Sequence, residues 1–180
     1  MDEVYIVEVA VTGESGFPKD AVVQIAICRM EADGSDYDTV YEDSISLDPK
    51  DVGHDALTRL EEVYGITAEM LYMGEDRSDV ISRVTSILKG HDCASFSKMT
   101  FSKFLCYEPW DLNCEVTFLP AISLLIPRDM LGDTDPSSLH NVYAKLCPGD
   151  PANVGEGRSA MDMAQMSACV AMAMRRKGFY

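Results

Sequence analysis

Basic residues are scarce in this chain: 15 lysines and arginines stand against 30 aspartates and glutamates, for a net charge of −15 over 180 residues. Non-specific affinity for nucleic acid comes from cations that neutralise phosphates. A surface this acidic repels a polyanion at long range unless its few bases line one groove. The one basic cluster, Arg175-Arg176-Lys177, reads as a cation set at a helix C-terminus. Composition therefore argues against a general nucleic-acid binder. No apolar run approaches the roughly 20 residues that span a bilayer, so no membrane association is expected.

Metal and redox motifs are also missing. The six cysteines (Cys28, Cys93, Cys106, Cys114, Cys147 and Cys169) include no C-x-x-C pair. They are expected to be reduced, mostly buried thiols of a cytoplasmic protein. His54, His91 and His140 show no ligand spacing. Met1-Asp2-Glu3 is acidic and leads straight into an apolar run, unlike a signal peptide. There is no internal repeat or low-complexity tract. With 47% apolar and 25% charged residues, the expectation is one globular domain over residues 1–180.

What is present is a sequence of α/β elements. Residues 4–11 form a near-continuous apolar run, as in a central strand buried on both faces. Gly13 to Asp20 reads as a turn, Ala21 to Met30 as a second strand and Thr39 to Leu47 as a third. Acidic residues 31–38 supply the hairpin between the last two. Asp79 to Leu88 has helical apolar spacing and ends at Gly90. His91–Phe96 reads as a strand, Lys98–Cys106 as helical and Cys114–Leu119 as a strand. Asp135-Pro136 is expected to start a helix carrying Leu139, Val142, Tyr143 and Leu146. A closing helix spans about Ser159 to Lys177. Its Met163, Met166, Val170 and Met174 predict an apolar stripe for core packing, with a Met-rich partner surface as the alternative.

Four segments resemble the motifs of the DEDDh class of 3′–5′ exonucleases. Tyr5 to Gly13 (YIVEVAVTG) is similar to its first strand, an apolar run followed by Asp-x-Glu-Thr-Thr-Gly. Glu8 stands at the Asp position, Ala10 at the Glu position and Val11 at the first Thr; Thr12 and Gly13 match. Tyr64 to Leu71 (YGITAEML) resembles a His-Gly-Ile-Thr-x-Glu-Met turn, with Thr67 a helix N-cap. Ala94 to Leu105 resembles Asn-x-x-Phe-Asp followed by Phe-Leu, placing the metal Asp at Phe101, or at Ser102 one residue on. Arg158 to Ala164 resembles His-x-x-x-x-Asp-Ala, with Arg158 for the general base and Met163 for the final Asp. The resemblance implies a ribonuclease-H-like exonuclease fold, a mixed five-stranded sheet flanked by helices.

Such an enzyme holds two divalent metals about 3.5–4 Å apart, bridged by carboxylates and the scissile phosphate. Residues two apart on a strand share a face, so Glu8 and Ala10 leave one carboxylate of two. Phe101 and Ser102 are not acidic, and a guanidinium at Arg158 takes no proton from water. Asp162 stands one residue before the needed position, roughly 100° around the helix. The expectation is a pseudo-exonuclease without a metal cofactor: the fold kept, the catalytic positions (Glu8, Ala10, Phe101, Arg158, Met163) vestigial, and the surface used to bind a protein with a basic face. The alternative is an active Mg- or Mn-dependent exonuclease with a rearranged acid set of Glu8, Asp162 and Glu156 or Asp92. Residues 106–135 match the family least. Trp110 there reads as local packing, or as an interface anchor.

Overall fold

The computed structural model describes residues 3–149 and 157–180. Strand β1 (Val4–Val11) is buried along its whole length. It pairs antiparallel with β2 (Val22–Met30) on one side and parallel with β4 (Asp92–Ala94) on the other. The outer strands are β3 (Tyr37–Ser44) and β5 (Thr117–Phe118), giving the order β3-β2-β1-β4-β5. This is the mixed five-stranded sheet expected, and the unbroken apolar run of β1 follows from its central place. The more polar, part-exposed β3 fits an edge strand.

Each face of the sheet carries its own core. On one face Val4, Ile6, Ala26 and Cys28 pack under α7 (Ala160–Arg175). Ala160, Ala164, Ala168 and Ala171 of α7 are buried in that core, and their small side chains let the helix lie close to the strands. On the other face Val7, Val9, Ile25 and Ile27 pack under α3 (Arg77–Leu88) through Val80, Val84 and Leu88. A third, smaller cluster closes the far end of β1. There Ala10 and Val23 meet Leu60 of the π-helical turn (Leu60–Tyr64) that prolongs α1 (His54–Arg59), Ile66 of the following loop, and Leu71 of α2 (Ala68–Tyr72).

The structure departs from the sequence pattern in several places. α6 runs Leu139–Leu146 with Ser138 as its cap, so it begins after Asp135-Pro136 rather than at it. Asp135 instead accepts bonds from the Ser137 amide and hydroxyl, a local turn that competes with helix initiation. β3 ends at Ser44, and Ile45 bridges to Glu75 beyond it. Two helical turns, α4 (Ile122–Leu125) and α5 (Arg128–Leu131), lie in a stretch where the sequence pattern predicts no element. Trp110 is buried in the α3-side core. Cys28 and Cys93 are buried thiols, Cys106 is half-buried and Cys114 is exposed. No helix of the described residues is long and apolar enough to cross a membrane.

The basic cluster has a structural task in addition to any helix-end charge effect. Arg175 donates to the carbonyls of Glu31, Ala32 and Tyr180, and Arg176 to those of Gly34 and Ser35. The two guanidinium groups thus tie the β2–β3 hairpin to the end of α7.

Candidate functional site

Glu8 faces α7, because β1 alternates and its neighbours Val4 and Ile6 point into that core. Its carboxylate is only 5% exposed. Oε1 accepts the Phe96 amide at 2.6 Å and the Ser167 hydroxyl at 2.8 Å. Oε2 lies 3.0 Å from Ser95 Oγ, which in turn lies 2.8 Å from Thr100 Oγ1. When ionised, the carboxylate only accepts, so the Ser95 hydroxyl donates its hydrogen bond to Glu8 and accepts one from the Thr100 hydroxyl. Three elements meet at this one group: the end of β4 through Ser95 and Phe96, the following π-helical turn (Thr100–Leu105) through Thr100, and α7 through Ser167.

Burial pushes the Glu8 carboxyl up to about 7, against the lowering effect of its three direct donors, Phe96, Ser167 and Ser95. Loss of hydration therefore outweighs three hydrogen bonds at this position. Ala10, two residues on, is fully buried against Leu60, Ile66 and Leu71. Apolar side chains thus occupy the place where a second strand carboxylate would emerge.

The remaining sequence-derived positions do not converge on Glu8. Phe101 is buried in the opposite, α3-side core, with its ring 4.4 Å from that of Phe118. Ser102 is exposed. The residue of this turn that reaches the Glu8 group is Thr100, one position before Phe101 and two before Ser102. Register along this segment rests on the apolar pair Phe104-Leu105 alone, because no acid marks it. Met163 is half-buried and stands outside the core cluster, so the expected stripe holds at Met166, Val170 and Met174, which are buried, and fails at Met163. Ser167, one helical turn after Met163, is the α7 residue that meets the carboxylate. A small hydroxyl inside an alanine-rich helix face is the signal for it in the sequence.

Asp162 is spent on the helix start. Its Oδ2 accepts the Arg158 amide at 3.0 Å and the Ser159 amide at 3.2 Å, while Ser159 Oγ accepts the Asp162 amide at 3.0 Å. This is a reciprocal capping box. Arg158 is exposed at the same helix start. Asp92 pairs with Val4 at the opposite end of β1, roughly four residues or 13 Å along the strand from Glu8. Glu156 lies outside the described residues. Among the described residues no cluster of three or more His, Cys, Asp or Glu side chains could hold a metal ion.

The retained Thr12 and Gly13 have local reasons to be there. The Thr12 hydroxyl accepts the Ala21 amide at 3.0 Å, closing the base of the loop. A Cβ at Gly13 would collide with the Asp20 carboxylate, which accepts the amides of Ser15 and Gly16. Glu14 is tied from two sides, by Arg59 at 2.9 Å and by Lys103 Nζ on its carbonyl at 2.6 Å. Tyr64, at the usual His position of the turn, packs half-buried against the Ala10 cluster. Thr67 accepts the Met70 amide as the N-cap of α2.

The fold defined by this sheet order and these helices is that of the DEDDh-class 3′–5′ exonucleases, a ribonuclease-H-like architecture. The chain matches a full-length 3′-exonuclease at 15% identity and a TM-score of 0.68, covering 99% of this chain and 83% of that one. It matches the nuclease domain of 3′hExo, a DEDDh family member bound to rAMP, at 16% identity and a TM-score of 0.67, covering 99% and 94%. Exonuclease I of E. coli with a dA16 oligonucleotide is similar at 12% identity and a TM-score of 0.65. There the match covers 97% of this chain and 41% of that one. At these identities the likeness is one of fold. No protein-family model matches the chain, and no curated protein does.

Proposed function

We propose that this chain is a catalytically degenerate exonuclease-fold protein that works as a binding module. One observation carries the reading: both oxygens of Glu8 already serve internal donors, Phe96, Ser167 and Ser95. Mg²⁺ demands near-octahedral coordination by oxygen ligands, and Mn²⁺ favours the same oxygen donors. Around Glu8 stand Ala10 and the hydroxyls of Ser95, Thr100 and Ser167, a donor set that does not fit two divalent metals. One buried carboxylate among neutral hydroxyls leaves the charge of such a pair uncompensated.

The competing reading, an active metal-dependent 3′–5′ exonuclease with a rearranged acid set, draws less support. Asp162 caps α7 and Asp92 sits at the far end of β1. Arg158 supplies no base at neutral pH.

The binding role is directed to protein. A net charge of −15 favours a partner with a basic face. Arg175 and Arg176, the obvious phosphate ligands, are engaged with hairpin carbonyls. A cytoplasmic location is part of the same proposal, since six scattered cysteines with no C-x-x-C pair suit a reducing compartment. Calorimetric titration with Mn²⁺ tests the reading. The expected result is no saturable binding at micromolar concentrations; tight binding that disappears in Glu8→Gln would overturn it.

A further inference from the structure

A pocket of about 280 Å³ opens beside the α3-side core, and neither Glu8 nor Ala10 lines it. Its floor is Val22, Ile45, Phe104 and Trp110, all buried members of that core. Its walls come from Phe17 and Pro18 of the loop after β1 and from Val52 and Gly53 before α1. Exposed Lys19, Asp51, Arg77 and Glu108 form the rim.

We propose that this pocket receives an aromatic side chain presented by an extended segment of a partner polypeptide. The inference rests on the reading of the chain as a binding module and names one site for it. Size is the first argument: an apolar cavity of about 150 Å³ holds benzene, so this one takes a phenyl or larger ring. Composition is the second, because Phe104 and Trp110 line the pocket and aromatic pairs add to the gain from area burial. The floor belongs to the packed core and is therefore preformed, which lowers the ordering cost of binding.

Rim charge separates a peptide from a nucleotide. Two cations, Lys19 and Arg77, are offset by two anions, Asp51 and Glu108, and Asp20 is already bound to the loop amides. A phosphate needs a net cationic site. The neutral N–H and C=O groups flanking a peptide side chain suit a rim of mixed sign.

Trp110 is the only tryptophan, so its emission reports on the pocket directly. The probe is N-acetylphenylalaninamide, with N-acetylalaninamide as the side-chain control. The expected result is a saturable change in Trp110 emission with a midpoint on the order of millimolar, as the ligand efficiency of a small probe implies. It should weaken by about tenfold or more in Ala56→Phe, which fills the pocket from α1. Gly53→Leu should do the same. Gly53 has φ −63° and open space around an added Cβ, so this second variant carries no backbone strain.

No saturable change, or an equal response to the alanine control, would overturn the proposal. So would binding that persists unchanged in both folded pocket variants, or a response to adenosine monophosphate in place of the probe. Probe binding and Mn²⁺ binding are independent readouts. A chain that binds both contradicts the degenerate reading alone, and one that binds neither contradicts the pocket alone.

Discussion

Ser167 donates its hydroxyl to Glu8 at 2.8 Å, joining α7 to the central strand across 159 positions of sequence. The serine stands one turn beyond Met163, on the face of α7 that lies against the strands. The Glu8 carboxylate thus joins the sheet to its closing helix.

Removing that donor should destabilise the fold. Ser167→Ala leaves a buried carboxylate short of one partner, at a cost of about 1–3 kcal/mol. In a chain of this size each kcal/mol lowers the midpoint of thermal unfolding by about 2–4 °C. Ser95→Ala should cost a similar amount and also strand Thr100. Thermal unfolding followed by circular dichroism checks both, and a change within error of wild type for both would contradict the junction.

Stability should depend on the proton of Glu8. Its folded value, about 7, lies above the ordinary 4.5. The folded state thus holds the proton more tightly than the unfolded chain. The resulting stabilisation is fully present below about pH 4.5 and is lost as pH rises through about 7. Its size is on the order of 3 kcal/mol, from about 1.4 kcal/mol per pH unit of displacement. Chemical denaturation between these limits should show Glu8→Gln with a flatter profile than wild type. Equal slopes in the two proteins would remove Glu8 as the source.

Asp162 should matter to stability through its helix end. Asp162→Ala breaks the capping box and should cost about 0.5–2 kcal/mol. The titration of Glu8, followed by carboxyl NMR, should stay where it is. A displaced Glu8 titration would instead mean that the two acids share one site.

Arg175→Met should loosen the β2–β3 hairpin. The carbonyls of Glu31 and Ala32 lose their donor, so amide exchange across residues 31–36 should accelerate while β1 stays protected. Uniform acceleration across the sheet would show a global role in place of this local one.

Much of the fold is legible from residue pattern. β1 shows as an unbroken apolar run because it is covered on both faces, and α3 shows through Val80, Val84 and Leu88. Thr67 and Ser159 mark helix starts because their hydroxyls cap amides. The site is less legible, since the registering acids are absent. Thr100 carries a hydroxyl that looks like any polar residue until Ser95 links it to Glu8, and Ser167 is marked only by its place in an alanine-rich helix face. α4 and α5 leave no trace in the pattern because helices of four residues carry no period. That Glu8 and Ala10 share a strand face can be read directly, as strand alternation decides it.

The most direct measurement is turnover: 3′-end degradation of single-stranded DNA and RNA with Mg²⁺ or Mn²⁺, run beside Glu8→Ala. No metal-dependent loss of 3′ ends is expected from either substrate. Degradation by the wild-type chain that disappears in Glu8→Ala would contradict it, and would return Glu8 to the role of a metal ligand.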